Sequence, residues 1–501
     1  MPFKRRADSW VQAVSGDLGK ANVNEIFYRP RDAAVGDVIP YYANGEFKLF
    51  YLHIWRVPEE MRGERGWYLL GTNDFVHYRE DGPCKIQGGT GSVLEAGGLY
   101  HMFYCKFPHG RQIVCHATST DLAHWDKYPE EDFGPDITFY EASDWRDPLV
   151  FWNEEEGLYW MLIAARARSQ FNRSGCVGLC VSSDLKIWQA RPPLLAPNLN
   201  MSALECPDLF RMGDWWYLLY STYTDHFVTQ YRMSRSLNGP WLAPAVDTFD
   251  GRAYYAAKTA SDGQKRYLFG WNPTRTENLY HWNPPGYGGR DFNTWDWGGE
   301  LVVHEVRQEG DGTLGVALPP SVAAAFQPGR SVELQPALGH WDKVGGGYRA
   351  SCVSGLACAT AGPLPARCLI SARFSFAPCT RRVGIIVRAS EQLDKGYHIQ
   401  IEPDRNRVIF KSCVFDNEHG GKIPPFEVEL ERPLALAPAQ SYLLTVVLVE
   451  SVCEVYLNNQ VAMSTRMYDL SEGKLAFFVA DGEATFEDIV IEPANSPGPK
   501  Q

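Results

Sequence analysis

The chain has 501 residues, of which 45% are hydrophobic, so it can bury the cores of two or three domains and is too apolar to be disordered. Its formal net charge of −12 disfavours binding to nucleic acid and to anionic membrane surfaces. Aromatic residues make up 13% of the chain, which is typical both of β-sheet packing and of sites that stack on sugars.

Five aromatic-rich segments recur along the first part of the chain, about 50 to 60 residues apart, which is the spacing of propeller blades. The first four segments are each followed by a polar turn and then an aromatic residue. Sustained helical periodicity is scarce there. This pattern predicts an all-β fold that begins with a five-bladed β-propeller over residues 1–320. The five segments are residues 47–53, 99–107, 158–165, 215–223 and 266–271.

A shorter strand-like segment precedes each aromatic segment. The innermost strand of a propeller blade lines the central channel, so we expect these five segments to converge on one place. They are residues 36–42, 91–94, 147–152, 205–211 and 253–258.

The composition and the periodicity of the sequence change after Glu300. Residues 321–340, rich in Pro and Ala, are predicted to form a linker with a short helical turn. Alternating apolar and polar residues at 397–402 and long β-prone runs up to residue 492 then predict a β-sandwich over residues 341–501. The charges of this second domain are scattered, so we expect the functional site in the propeller.

Three acidic residues stand near the starts of predicted inner strands, at almost the same distance from the aromatic segment of their blade: Asp37, Asp147 and Glu205. Carboxylates that converge in this way repel one another and lose hydration, which indicates a functional role. Hydrolysis of a glycosidic bond needs one carboxylate that faces the anomeric carbon and one carboxylic acid that protonates the leaving oxygen. The three acids therefore indicate either a metal site or carboxylate chemistry on a sugar, as in a glycoside hydrolase.

Short motifs on four blades carry a resemblance to a known family. They are Trp145-Arg146-Asp147-Pro148, Glu205-Cys206-Pro207-Asp208, Gly91-Ser92-Val93, and Tyr254-Tyr255-Ala256-Ala257 followed by Gly270-Trp271. In this order and spacing they resemble the Arg-Asp-Pro, Glu-Cys and neighbouring signatures of glycoside hydrolase family 32, the fructosidases and invertases. The segment from Phe477 to Phe486 also resembles the end of that family's sandwich.

The resemblance implies retaining hydrolysis of terminal β-fructofuranosyl residues in a disaccharide or oligosaccharide. It implies that Asp37 is the nucleophile and Glu205 the general acid/base. Asp147 would hold sugar hydroxyls and stabilise the transition state, with Arg146 beside it. It further implies that the sugar contacts four residues on other blades: Gly91, Ser92, Tyr255 and Trp271.

One departure concerns the nucleophile. The family usually carries Asn-Asp-Pro-Asn-Gly there, whereas this chain has Gly36-Asp37-Val38-Ile39-Pro40. The acid is kept while its neighbours differ, so furanoside chemistry is better supported than fructose as the sugar. Two alternatives remain open at this point: an inverting arabinofuranosidase or xylosidase of the family 43 kind, and a propeller that binds sugars without cleaving them.

The remaining sequence features concern the compartment and metals. The basic start MPFKRRADSWVQ lacks an apolar segment, and no run of 18 apolar residues occurs, so we expect no signal peptide and no membrane span. Several of the 12 cysteines, such as Cys105 and Cys115, lie in apolar strand-like runs, which favours reduced thiols and a cytoplasmic protein. Cys176 and Cys180 have no partner pair with zinc-site spacing, so neither a metal site nor a cofactor is predicted.

Overall fold

The computed structural model describes residues 21–275, 291, 295–414 and 430–495, so the basic amino-terminal stretch considered above lies outside the described residues. Within those ranges the regular structure is almost entirely β-strand, and the α-helix is the single turn Pro320–Ala323. The predicted all-β class is therefore confirmed. In the same ranges no helix is long and apolar enough to cross a membrane.

Five antiparallel blades follow one another from Ala33 to Gln308, each built from strands that pair with their neighbours in sequence. Blade one comprises Ala33–Ala43, Glu46–Trp55, Trp67–Thr72 and His77–Pro83; blade two Gly89–Ala96, Leu99–Lys106, Ile113–Ser119 and Asp126–Lys127; blade three Tyr140–Asn153, Leu158–Ala167, Gly175–Ser182 and Gln189–Leu195; blade four Glu205–Met212, Trp215–Thr222 and Val228–Ser234; and blade five Tyr255–Ser261, Arg266–Pro273 and Gly299–Gln308.

The recurring aromatic residues pack neighbouring blades against each other. Phe50 of blade one shares a core with Met102 of blade two. Phe103 of blade two similarly shares a core with Trp145 of blade three. Face-to-face packing of twisted sheets needs large apolar side chains at such positions. The sequence repeat therefore reflects packing between blades.

The ring closes between the first and last blades, where Val35 pairs with Gly299. The inner strands contact one another in the order one to five and back to one. Two short strands extend the outer edges of these blades: Ala21–Asn24 pairs with blade one and Leu314–Ala317 with blade five. The five inner strands consequently surround a common axis, as predicted.

The carboxy-terminal strands form a sheet that folds over itself around a second core. Its last strand, Lys474–Pro493, pairs through its first half with Arg382–Ala389 and through its second half with Arg367–Phe376, so it belongs to both layers of the sandwich. The other strands are Arg330–Ser331, Gln335–Leu338, His340–Val344, Gly347–Pro363, Gly396–Glu402, Arg407–Cys413, Leu430–Pro433, Tyr442–Val449, Val452–Leu457 and Val461–Arg466.

Part of the predicted linker lies in this sheet. Within residues 321–340, Arg330–Ser331 pairs with the last strand and Gln335–Leu338 with Gly347–Pro363. The division into residues 1–320, 321–340 and 341–501 stays a prediction.

A buried polar cluster joins the propeller to the sandwich. His304 Nε2 lies 3.0 Å from Asp250 Oδ2, and the Ser464 hydroxyl contacts a carboxylate oxygen of both Asp250 and Glu454. These nitrogen and oxygen atoms of Asp250, His304 and Glu454 lie within 4.8 Å of one another, and all three side chains are buried. Burial and the neighbouring Asp250 raise the pKa of Glu454 well above its usual value. Since one hydroxyl proton cannot serve two carboxylates, a proton on Glu454 completes the second hydrogen bond.

We expect the substitution Glu454→Gln to stabilise the protein at alkaline pH. The raised pKa means that the folded state keeps a proton that the unfolded state releases, so the free energy of unfolding falls as pH rises above the unfolded pKa. Glutamine stays neutral and avoids that loss. The melting temperature should therefore exceed the wild-type value at pH 9 and match it more closely at pH 5. The exposed Glu472→Gln is the control. If the melting temperatures of the wild type and Glu454→Gln differed by the same amount at pH 5 and at pH 9, Glu454 would not carry the proton.

Candidate active site

Each of the five inner strands carries a β-bulge at an equivalent place. The register with the second strand shifts between Val35 and Val38, Gly89 and Gly91, Arg146 and Leu149, Glu205 and Asp208, and Tyr255 and Lys258. A bulge turns a side chain away from the regular alternation, and bulges are frequent beside active sites. The residues inside these five bulges include Asp37, Thr90, Asp147, Cys206 and Ala256.

Three of these bulge residues have a left-handed backbone. The φ angles are +57° at Asp147, +49° at Cys206 and +52° at Ala256. Non-glycine residues adopt such angles at a cost, and they cluster where a structure needs a side chain in one direction. The bulges thus bring side chains from separate blades to a common layer on the axis.

Asp37 is surrounded by donors from three other blades. The Thr90 hydroxyl donates to Oδ2, and Trp271 Nε1 donates to Oδ1 over 3.4 Å. The sulfur atom of Cys206 lies 3.7 Å from Oδ2. Burial and then the charge of Asp147 raise the pKa of Asp37 from 3.8 to about 6, while these hydrogen bonds oppose the rise. Asp37 is therefore ionised at neutral pH and desolvated.

Asp147 lies close to Asp37 and faces the same atoms. Its Oδ2 accepts a hydrogen bond from the backbone N–H of Cys206 at 3.0 Å, and it lies 3.8 Å from the Cys206 sulfur. One sulfur atom therefore contacts both aspartates. Arg146 Nε lies 3.9 Å from the same Oδ2.

Glu205 is held by a cation and a phenol. Arg146 Nη2 donates to Oε1 at 2.8 Å, and the Tyr255 hydroxyl donates to Oε2 at 2.6 Å. Burial raises the pKa of Glu205 from 4.5 to about 7; Arg146 and Tyr255 lower it, and Asp147 raises it. The carboxyl group is thus protonated in a large share of molecules near neutral pH, as a general acid requires.

Arg146 is itself fixed from two sides. Nη1 pairs with Asp144 and donates to Gln112 Oε1 at 3.1 Å. The same Gln112 oxygen accepts the backbone N–H of Trp145 at 2.7 Å. The guanidinium plane is therefore oriented before a substrate arrives.

A cavity of about 710 Å³ opens onto Glu205 and Arg146. Asp37 and Asp147 lie deeper and keep exposed fractions of 7% and 4%, against 8% for Glu205. Most of the wall is aromatic, which suits the C–H faces of a sugar, and the polar groups are concentrated near the acid. The described lining residues are Phe107, Gln112, Asp144, Arg146, Glu205, Tyr223, Phe227, Trp295 and Trp297.

The structure brings the three predicted carboxylates together with Arg146, Tyr255 and Trp271. Gly91 has no room for a side chain, because a Cβ atom there would lie 1.8 Å from the Phe103 carbonyl oxygen. The Ser92 hydroxyl accepts the backbone N–H of Val150 at 2.9 Å and so joins blades two and three. Contacts of Gly91 and Ser92 with a sugar stay a prediction.

Several site residues were missed by the sequence analysis. Thr90 directly precedes the Gly91 motif, and its equivalence to Asp37 within the repeat was a usable signal. The Trp297 ring packs edge-on against Tyr255 and at a tilt against Trp271, with ring centroids 5.2 Å from each. It comes from a segment before the last strand of blade five, where no periodicity marks it. Phe227 packs 4.7 Å from the Tyr255 ring and likewise lies in a loop.

Comparison with known proteins identifies the family. The profile for the "Glycosyl hydrolases family 32 N-terminal domain" matches residues 39–284, and the profile for the family's C-terminal domain matches residues 355–493. The chain belongs to glycoside hydrolase family 32. The resemblance seen in the motifs is therefore confirmed, and the propeller-plus-sandwich architecture is the one expected for a family 32 protein.

Characterised family 32 relatives are distant in sequence. The raffinose invertase of Escherichia coli is 26% identical over 276 residues, which cover 47% of this chain and 55% of the relative. The levanbiose-producing levanase of Geobacillus stearothermophilus is 23% identical over 317 residues, which cover 56% of this chain and 75% of the relative. The match thus spans about half the length of the invertase.

Solved family 32 structures share the fold over nearly the whole chain. Fructan 1-exohydrolase IIa from Cichorium intybus superposes with a TM-score of 0.70 at 13% identity, covering 95% of this chain and 97% of the other. The exo-inulinase of Aspergillus awamori gives 0.68 at 16% identity, with coverages of 94% and 98%.

Proposed function

We propose that this chain hydrolyses the bond to a terminal β-fructofuranosyl residue by a retaining double displacement. The observation that carries the proposal is the different treatment of two neighbouring carboxyl groups. Burial raises the pKa of both groups and hydrogen bonds oppose the rise in both, but the pKa reaches about 6 in Asp37 and about 7 in Glu205, so between these values Asp37 is mostly ionised while Glu205 mostly keeps its proton. A nucleophile and a proton donor need these opposite states at the same pH.

In the first step Asp37 attacks the anomeric carbon of the fructosyl ring, and an ester bond to Asp37 forms. Glu205 gives its proton to the glycosidic oxygen, so the leaving sugar departs as a neutral alcohol. In the second step the Glu205 carboxylate removes a proton from water as the water oxygen attacks the same carbon. The ester bond breaks, and Asp37 leaves as a carboxylate with Glu205 protonated again.

The neighbouring residues support these steps. Arg146 and Tyr255 hold the two oxygens of Glu205, so the proton donor keeps its direction between the two steps. Asp147, beside both Arg146 and the Cys206 N–H, is placed to accept hydrogen bonds from sugar hydroxyls and to stabilise positive charge on the ring in the transition state.

We propose a disaccharide or short oligosaccharide as the substrate. The names of relatives point to fructosyl compounds, among them raffinose and levan. The aromatic wall formed by Phe107, Phe227 and Trp297 offers stacking surfaces for the leaving sugar. Gly36 and Ile39 offer no polar side chain at the two positions where the family usually has asparagines, so the surroundings of the nucleophile differ from the usual ones.

Product analysis tests the proposal. The purified chain is incubated with sucrose, kestose, inulin, levan and arabinan, and the first-formed sugar is followed by NMR. Release of fructose as its β-anomer, or of methyl β-fructofuranoside when methanol is present, supports retaining hydrolysis. Release of an inverted anomer, or of arabinose alone, would instead support the inverting alternative. No turnover on the whole panel would support the sugar-binding alternative. In a liganded crystal structure, retention requires the Asp37 and Glu205 carboxyl groups to lie about 5–5.5 Å apart.

The rate should depend on pH through both carboxyl groups. Asp37 must be ionised, so activity rises as pH passes its pKa of about 6. Glu205 must be protonated, so activity falls as pH passes its pKa of about 7. We expect a narrow bell-shaped profile of kcat/KM with its maximum between these values. Tyr255→Phe removes a hydrogen bond that lowers the pKa of Glu205, so it should move the alkaline limb upward and leave the acidic limb nearly in place. An unchanged alkaline limb would contradict Glu205 as the acid.

We also propose that the chain works in a reducing compartment, the cytoplasm. Cys105, Cys176, Cys180 and Cys206 are buried free thiols, and burial raises their pKa values, which keeps them unreactive. Dithiothreitol should therefore leave the melting temperature unchanged. A drop of several degrees would reveal a structural disulfide, which is typically worth about 2–4 kcal/mol, and would contradict this proposal.

A further inference from the structure

A lysine is buried in the propeller close to the carboxylates. Lys258 belongs to the inner strand of blade five, and only 2% of it is exposed. Its Nζ donates to two backbone carbonyl groups, those of Gly91 in blade two and Pro207 in blade four, each over 3.0 Å. The ammonium group therefore connects three of the five inner strands.

Both carbonyl groups belong to residues directly beside the site. Gly91 follows Thr90, whose hydroxyl donates to Asp37. Pro207 follows Cys206 and comes two residues after Glu205. A displacement of either carbonyl group would thus alter the relative positions of the proposed nucleophile and acid. Displacements of about 1 Å can lower rates by about a hundredfold.

The positive charge of Lys258 requires an explanation of its own. The acceptors that the described residues offer to Nζ are neutral carbonyl groups, and burying an ammonium ion is unfavourable unless negative charges compensate it. Burial and three carboxylates raise the pKa of the Cys206 thiol, and Lys258 opposes that rise, so its field reaches this sulfur atom. The same sulfur contacts Asp37 and Asp147. Lys258 and the three carboxylates therefore act with opposite sign on the same sulfur atom.

We propose that Lys258 is a positioning residue for the hydrolysis proposed above, on which this inference rests. Its two hydrogen bonds fix blades two and four relative to blade five. Because its charge acts on the Cys206 thiol, whose sulfur lies 3.7 Å from Asp37 Oδ2, we expect it also to favour the ionised form of Asp37. Asp147 is the charged group that raises the pKa of Asp37, and the hydrogen bonds of Thr90, Trp271 and Cys206 lower it.

The test compares Lys258→Met and Lys258→Arg with the wild type in kcat, KM and their pH profiles, together with melting temperature. Methionine keeps the length and removes the charge and the donors, whereas arginine keeps the charge. Lys265→Met is the matched control, because this half-exposed lysine in the next turn pairs with Glu305, away from the carboxylates. We expect Lys258→Met to lower kcat about a hundredfold with little change in KM, and to shift the acidic limb upward by about one pH unit. Lys258→Arg should also lower kcat but keep the wild-type acidic limb.

Three outcomes overturn the inference while the wild type is active. The first is that the kcat of Lys258→Met stays within about threefold of the wild-type value. The second is that Lys258→Met loses rate but the acidic limb of its pH profile does not move. The third is that the acidic limb moves in Lys258→Arg as well. If Lys258→Met does not fold, Lys258→Arg tests the inference instead: a lower kcat with the wild-type acidic limb supports it, and a shifted acidic limb contradicts it. A wild type that cleaves no fructofuranoside overturns the proposed function and this inference with it, so the two failures are distinguishable.

Discussion

Replacing Asp37 by alanine is expected to lower kcat at least about a thousandfold and to leave the propeller folded. Loss of the nucleophile removes several kcal/mol of transition-state stabilisation, because the ester intermediate can no longer form. Steady-state kinetics on the best substrate of the panel measures the loss. The exposed Asp214→Ala, which removes a surface ion pair with Arg235, is the control and should keep wild-type kinetics.

Two further measurements separate this chemistry from unfolding. Sodium azide should partly rescue Asp37→Ala and yield an inverted fructosyl azide, since the small anion fits the space that the carboxylate leaves. Asp37→Asn should be more stable than the wild type at pH 8, because a pKa raised from 3.8 to about 6 corresponds to a cost of about 3 kcal/mol for the ionised group. At pH 4 that difference should largely vanish. If Asp37→Ala retains more than about a tenth of wild-type activity, Asp37 is not the nucleophile.

Glu205→Gln is expected to lower kcat on sucrose or kestose at least about a thousandfold, because the leaving alcohol loses its proton donor. The amide can still accept the Tyr255 hydroxyl, so the variant should fold. A fructoside with a good leaving group, such as a nitrophenyl group, needs little protonation and should form the ester at a much smaller loss. Azide should then accelerate turnover and give a fructosyl azide of retained configuration.

The comparison of leaving groups makes this prediction specific to an acid/base role. An equal loss on both substrates would show that Glu205 acts in another way, for example by holding Arg146 through their 2.8 Å ion pair. Arg146→Lys addresses that possibility separately. It keeps a cation near Glu205 but removes the planar contacts to Asp144 and Gln112, so it should lower kcat without removing the alkaline limb.

The sequence determined the architecture and the catalytic candidates. Aromatic strands repeat because each blade must pack on the next. Such a repeat can be recognised from the sequence alone. Asp37 and Asp147 could be found because they lie inside equivalent bulges of that repeat. Glu205 could be found because it directly precedes the bulge of blade four, at the position that Arg146 has in blade three. The alternation of the carboxy-terminal strands indicated a sandwich for the same reason.

Only the tertiary structure decided how those acids differ. A bulge is a register shift between two strands, so the left-handed backbone at Asp147 and Cys206 has no signature in the local residues. The contacts that set each protonation state join residues far apart in the chain: Thr90 and Asp37 are separated by 53 positions, and Cys206 and Asp37 by 169. Burial, which raises the pKa values of both Asp37 and Glu205, depends on the closed ring of five blades. The sequence therefore determined which groups meet on the axis, and the assembled ring determined the charge that each carries.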